Sequence, residues 1–233
     1  MTMLHVLSAG AAKGLVQGMQ GPFSAARGVT FGGAFGAVGA MREKLLAGEP
    51  CDLIILTAAI VDALAAQGLV QADTVAALGR VHTGIAVPAG DAHPAIADAD
   101  GLRRALEGAR GIYLPDPERA TAGIHFANVL RALGIFDRVR ERLRPFPNGA
   151  AAMRAMADAG EPGLIGCTQV TEINYTVGVE LAGLLPREFE LATTYSLAVC
   201  TGASAPALAR EFAGLLSGPA SLAMRVQGGF VVD

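Results

Sequence analysis

The 233 residues carry 18 basic and 21 acidic side chains, a net charge of −3, and no basic run longer than Arg103-Arg104, which excludes a nucleic-acid footprint. With 52% apolar and 17% charged residues the chain can bury a substantial core, which excludes disorder. No uninterrupted apolar span reaches the ~18 residues of a membrane helix, and Cys51, Cys167 and Cys200, without CxxC spacing, read as small buried hydrophobes in strands.

In chain order, Leu4-His5-Val6-Leu7 reads as a first strand, and Ser8-Ala9-Gly10-Ala11 turns the chain into a helix over 13–25. A strand over 29–31 feeds the glycine-rich run Gly33-Ala34-Phe35-Gly36-Ala37-Val38-Gly39-Ala40, taken as a loop that opens a short helix over 38–47. Gly48-Glu49-Pro50 stops that helix, a buried strand covers 53–56, and Thr57-Ala58-Ala59 leads a helix over 60–67. Residues 80–88 form an extended crossing, after which the pattern begins again. It comprises a helix over 101–106, a strand over 111–114, a helix opened by Ala120-Thr121-Ala122-Gly123, a strand over 143–146, a helix from Asn148-Gly149, and a strand over 164–167. An extended return over 190–200 and helices over 206–216 and 219–226 close the chain.

This alternation predicts an α/β protein with mostly parallel sheets flanked by helices. Small residues at helix starts expose backbone N–H groups at the positive end of the helix dipole, which suits an anion. No GxxxxGK[ST] phosphate loop, GxSxG elbow, GxGxxG fingerprint or zinc-ligand spacing is present, so neither cofactor nor metal is expected. The first strand leaves only Met1-Thr2-Met3 ahead of the fold, with no signal-peptide pattern; the expectation is a cytoplasmic protein, or a periplasmic one if a leader has been removed.

Taken in order, the opening strand into Ser8-Ala9-Gly10-Ala11, the Gly48-x-Pro50-x-Asp52 element, Thr57-Ala58, Ala120-Thr121-Ala122-Gly123 after Pro115-Asp116-Pro117, and the strand into Cys167-Thr168-Gln169 resemble the type II periplasmic solute-binding proteins, in their molybdate-binding branch. The resemblance implies two α/β lobes, 1–82 with 198–233 and 83–197, joined by two crossing strands and closing by a hinge over an anion in the cleft between them. By position it implies ligand groups at Ser8 and Ala9, at Ala37, Val38 and Gly39, at Ala122, at the backbone near Asn148 and Gly149, and at Thr168; Thr121, whose hydroxyl could reach a carboxylate, and Gln169, following a strand end, are further candidates. If the protein is exported, its partner would be the membrane component of an ABC transporter.

Two departures re-cut the expected site. The family's loop before the short helix offers serine hydroxyls where this chain has Ala37-Val38-Gly39, and the second-lobe tyrosine is replaced by Cys167-Thr168-Gln169. Each hydroxyl lost to a buried acceptor costs about 1–3 kcal/mol, so the expected ligand is an organic di- or tricarboxylate rather than molybdate or tungstate, which stays as an alternative. Lys13 and Arg42, in helices that follow two of these turns, are candidate anion contacts, and Thr121 is read as the cap of its helix. Aconitate isomerase resembles the same branch, so an isomerase moving a proton on an unsaturated carboxylate is the other reading, with His125 as proton shuttle and Glu172 as general base.

Overall fold

A computed structural model describes residues 2–232. The chain divides into two units: His82–Ala192 is one, and the segments up to Val81 and from Thr193 form the other. In the first, β1 (Thr2–Ala9) buries Leu4, Val6 and Leu7 and is followed by a short 3-10 turn, Gly10–Ala12, and α1 (Lys13–Arg27). β2 (Val29–Gly36) then runs parallel to β1 in unbroken register, from Thr2↔Val29 to Ala9↔Gly36.

That register corrects the sequence reading of the glycine-rich run. Gly33–Gly36 are strand, and the only residue between β2 and α2 (Val38–Leu46) is Ala37. The glycines serve the close approach of two strands: Gly33 has φ +112, and a Cβ there would collide with the Val6 carbonyl. β3 (Leu53–Thr57) packs on the other side of β1, again parallel, and α3 (Ala58–Ala66) follows it. β4 (Ala76–Pro88) carries the chain from Val81 of the first unit to His82 of the second.

In the second unit α4 (Ala99–Gly108) starts where the Asp98 side chain accepts the Gly101 N–H at 2.7 Å. The chain continues through β5 (Gly111–Pro115), α5 (Thr121–Ala132), α6 (Phe136–Val139), β6 (Leu143–Phe146), α7 (Gly149–Ala159), β7 (Leu164–Gln169), α8 (Val170–Asn174) and β8 (Val179–Leu184). β5 lies between β6 and β7, parallel to both, while β7 and β8 pair antiparallel with the second half of β4. Alternation along the strands splits the core: Ile112, Leu114, Ile165 and Cys167 pack with Leu102, Leu106, Phe126 and Leu130, whereas Leu164 packs with Ala152, Met153, Met156 and Ile173. Helices therefore cover both faces of this sheet.

The chain returns to the first unit in β9 (Ala192–Val199), antiparallel to β3 from Leu53↔Val199 to Thr57↔Tyr195. α9 (Pro206–Ser217), α10 (Leu222–Gly228) and β10 (Phe230–Val231) complete it, β10 pairing with the first half of β4. Among the described residues no helix is long and apolar enough to cross a membrane.

Candidate anion site

Since β1, β2 and β3 are parallel and in register, their carboxyl ends, Ala9, Gly36 and Thr57, fall at one edge of the first unit's sheet. In open α/β sheets that edge is where ligands are received. A helix start follows each strand, and the residues in the cap positions, Ala9, Ala37 and Thr57, have extended backbone (ψ 145, 143 and 146) with no capping side chain. The first amides of these helices thus lack the internal acceptor that a serine or aspartate would provide.

The Ser8 hydroxyl does not supply one: it is buried and donates to the Ala9 carbonyl at 3.0 Å. Val38 turns its side chain into the core, leaving its main chain at the helix start, while Ala37 and Gly39 are half-buried. Lys13 in α1 and Arg42 in α2 are half-buried cations, neither paired with a carboxylate among the described residues. The edge therefore presents uncapped amides, with Lys13 at the start of α1 and Arg42 in the second turn of α2.

In the second unit β5, β6 and β7 end at Pro115, Phe146 and Gln169, and α5, α7 and α8 start after them. The cap position of α5 is Ala120, with ψ 133 and no capping side chain. Thr121 is the first helical residue, so it does not cap as the sequence suggests: the chain leaves the extended conformation one residue earlier than that reading requires. Ala122 behind it is buried. His125, one turn into α5, places Nε2 2.8 Å from the Phe189 carbonyl, which ties α5 to the segment before β9.

α7 is different, because its start is already filled. The Asn148 side chain accepts the Ala151 N–H at 2.9 Å. Glu172, in the first turn of α8 and buried, accepts the Thr168 hydroxyl at 2.5 Å and the Ala150 N–H at 3.2 Å, and also takes the amides of Gly149 and Gln169. Gly149 permits this, since a Cβ there would collide with the Thr168 hydroxyl and the Glu172 carboxyl. Burial pushes the Glu172 carboxyl above its ordinary range, and the hydrogen bonds from Thr168, Ala150, Gln169 and Gly149 offset only part of that rise.

Of the residues singled out by sequence, the structure thus groups Gly149, Thr168 and Glu172 around one another, and aligns Ser8 and Ala9 with Ala37 along one sheet edge. It adds Ala150 and the cap position Thr57, which the sequence reading missed. The visible signal for the first was a hydroxyl and a carboxylate four residues apart, Thr168 and Glu172, across a strand-to-helix junction. No cluster of three or more His, Cys, Asp or Glu set to hold a metal ion occurs among the described residues.

The model of the bacterial extracellular solute-binding proteins matches residues 4–231. The chain belongs to this family. This solute-binding protein is 27% identical over 218 residues to an aconitate isomerase of a Pseudomonas species, a match spanning 90% of the chain and 80% of that relative. It superposes on the periplasmic molybdate-binding protein of Azotobacter vinelandii with a TM-score of 0.77 at 19% identity, covering 99% of each chain. On the sulfate-binding protein SubI of Mycobacterium tuberculosis H37Rv the TM-score is 0.71 at 18% identity, covering 99% of this chain and 86% of the other. The resemblance to the molybdate-binding branch therefore holds at the level of fold.

Proposed function

We propose that this solute-binding protein reversibly holds a small organic anion, a di- or tricarboxylate. The observation that carries this reading is the row of helix starts at Ala9, Ala37 and Thr57, whose amides no side chain caps; Lys13 and Arg42, on the helices that follow, have no carboxylate partner among the described residues. A carboxylate takes such amides on its two oxygens, and the half-buried methyl of Ala37 suits carbon rather than a fourth oxygen. A tetrahedral dianion would meet few hydroxyl donors there, and in the second unit the start of α7 is already occupied by the Glu172 carboxyl. Within the second unit, the start of α5 at Thr121 and Ala122 likewise has no capping side chain. The family's extracellular setting, with an ABC-transporter membrane component as partner, is part of this proposal.

A thermal-shift panel tests it. Citrate or aconitate at about a hundredfold its dissociation constant should add about 2.7 kcal/mol of stability and raise the melting temperature accordingly. Stabilisation by molybdate, tungstate or sulfate with no response to carboxylates would overturn the reading.

The likeness to an aconitate isomerase over most of the chain supports a second reading, in which the bound acid is also isomerised. That needs a group able to take a proton from carbon, and Glu172, whose ionised carboxylate burial makes more basic than an ordinary one, is the candidate, with His125 as the shuttle. Incubating the stabilising acid with protein in deuterated water and following its carbon-bound protons by NMR separates the two; absence of deuterium uptake would leave binding alone.

A further inference from the structure

Cys51 and Cys200 stand far apart in the chain but meet at one corner of the first unit. Cys51 lies two residues before β3 and Cys200 directly follows β9, whose pairing brings Leu53 opposite Val199. The ladder continues beyond these strands: the Cys200 N–H donates to the Asp52 carbonyl at 2.9 Å, and Val70 pairs with Cys200 on its other side. Asp52 is itself pinned, its buried carboxylate accepting the His5 and Ala205 N–H groups at 2.8 and 2.9 Å and the Ser204 hydroxyl at 2.9 Å. Within this fixed frame the Cys200 thiol donates to the Cys51 sulfur at 3.4 Å. Cys51 is partly exposed, Cys200 is buried, and Cys167 belongs to the core of the second unit.

We propose that Cys51 and Cys200 are a disulfide-forming pair, joined when the protein meets an oxidising compartment. The sulfurs are already in contact, 3.4 Å apart against about 2.05 Å in a disulfide, at the ends of two strands held in register. The oxidant is a disulfide, from a small molecule or from a thiol–disulfide oxidoreductase. The accessible Cys51, as its thiolate, attacks one donor sulfur, forms a mixed disulfide and releases the first donor thiolate. Cys200 then gives up its proton, its sulfur attacks the Cys51 sulfur, and the second donor thiolate leaves. Two protein thiols are oxidised, one donor disulfide is reduced to two thiols, and the two protons pass to those leaving groups. Hydrogen bonding to Cys51, burial and the nearby Asp52 all hold the Cys200 thiol in its protonated form, which fits its taking the second role.

The bridge has a structural consequence. Cys51 precedes the whole of His82–Ala192 and Cys200 follows it, so the link would tie together the two chain segments from which the first unit is built. A link across so long a loop restricts the unfolded chain strongly, and disulfides persist in extracellular proteins.

The full chain incubated with oxidised glutathione, then denatured and titrated for thiols, tests this. Loss of two of the three thiols, an intact mass lower by two hydrogens, a peptide joining Cys51 to Cys200, and a urea midpoint above that of the reduced form are expected. Cys200→Ser should trap glutathione on Cys51, whereas the unaltered chain should retain none. Three remaining thiols, a glutathione adduct retained on the unaltered protein, or a link involving Cys167 would overturn the proposal.

Discussion

Glu172 sets a condition on what the second unit can receive. Its carboxylate lies among the amides that begin α7, where a ligand anion would otherwise have the same donors, and its buried position raises its pKa. The sign of the pH effect follows. The folded state holds a proton that the unfolded chain, with a carboxyl near 4.5, releases, so the contribution is fully present below that pH and is lost as pH rises through the folded-state value. Chemical denaturation across that window should show stability falling with pH in the unaltered protein, and Glu172→Gln should flatten the curve while keeping the fold. Glu172→Ala, which leaves the Thr168 hydroxyl and buried amides without an acceptor, should cost at least about 1–3 kcal/mol. Identical pH curves for the unaltered protein and the Gln variant would dissociate Glu172 from this behaviour. The sequence singles out residues 149, 168 and 172 one by one but not their grouping, because they belong to separate elements and only the packing of α7 against β7 and α8 makes them neighbours.

At the scale of elements, the helix starts of the first unit are under-capped, and this separates stability from binding. Ala37 already has the extended backbone that a capping residue adopts. Ala37→Asp should therefore stabilise the protein by about 0.5–2 kcal/mol through a new cap. The same carboxylate would take the amides of α2 and repel an anion, so affinity for the carboxylate found in the thermal-shift panel should fall by about tenfold or more, some 1.4 kcal/mol. Calorimetric titration beside thermal melts reads both, and unchanged affinity would remove α2 from the site. Elements were legible where local chemistry decides them: β6 and α7 start where the sequence places them, α7 because Asn148 caps it. They were illegible where a distant partner decides. The glycines of β2 look like a loop until β1 lies against them, and the short α8 and β8 carry too few residues to show a period.

At the scale of the whole molecule, the two units differ in how they are encoded. His82–Ala192 is one continuous segment holding β5 to β8 and α4 to α8, with its parallel strand pairs and both parts of its core inside it. Expressed alone, it should keep its far-ultraviolet circular dichroism and melt cooperatively; a featureless, non-cooperative melt would show that it needs the rest of the chain. The first unit is assembled from both ends of the polypeptide. The alternation of strands and helices made two α/β units readable from sequence, whereas the antiparallel pairing of β9 with β3 is a long-range match between chain segments that no local pattern announces.

That pairing governs the order of events on the ribosome. β3 is complete by Thr57, yet the strand that covers its outer edge begins only at Ala192, after more than half of the polypeptide has been made. Throughout that interval the nascent protein displays a bare, entirely apolar strand margin from Leu53 to Leu56, the kind of surface that holding chaperones shield and that stray strands invade. A premature stop before β9 leaves that margin permanently open, so truncated products should aggregate rather than persist as half-working binders.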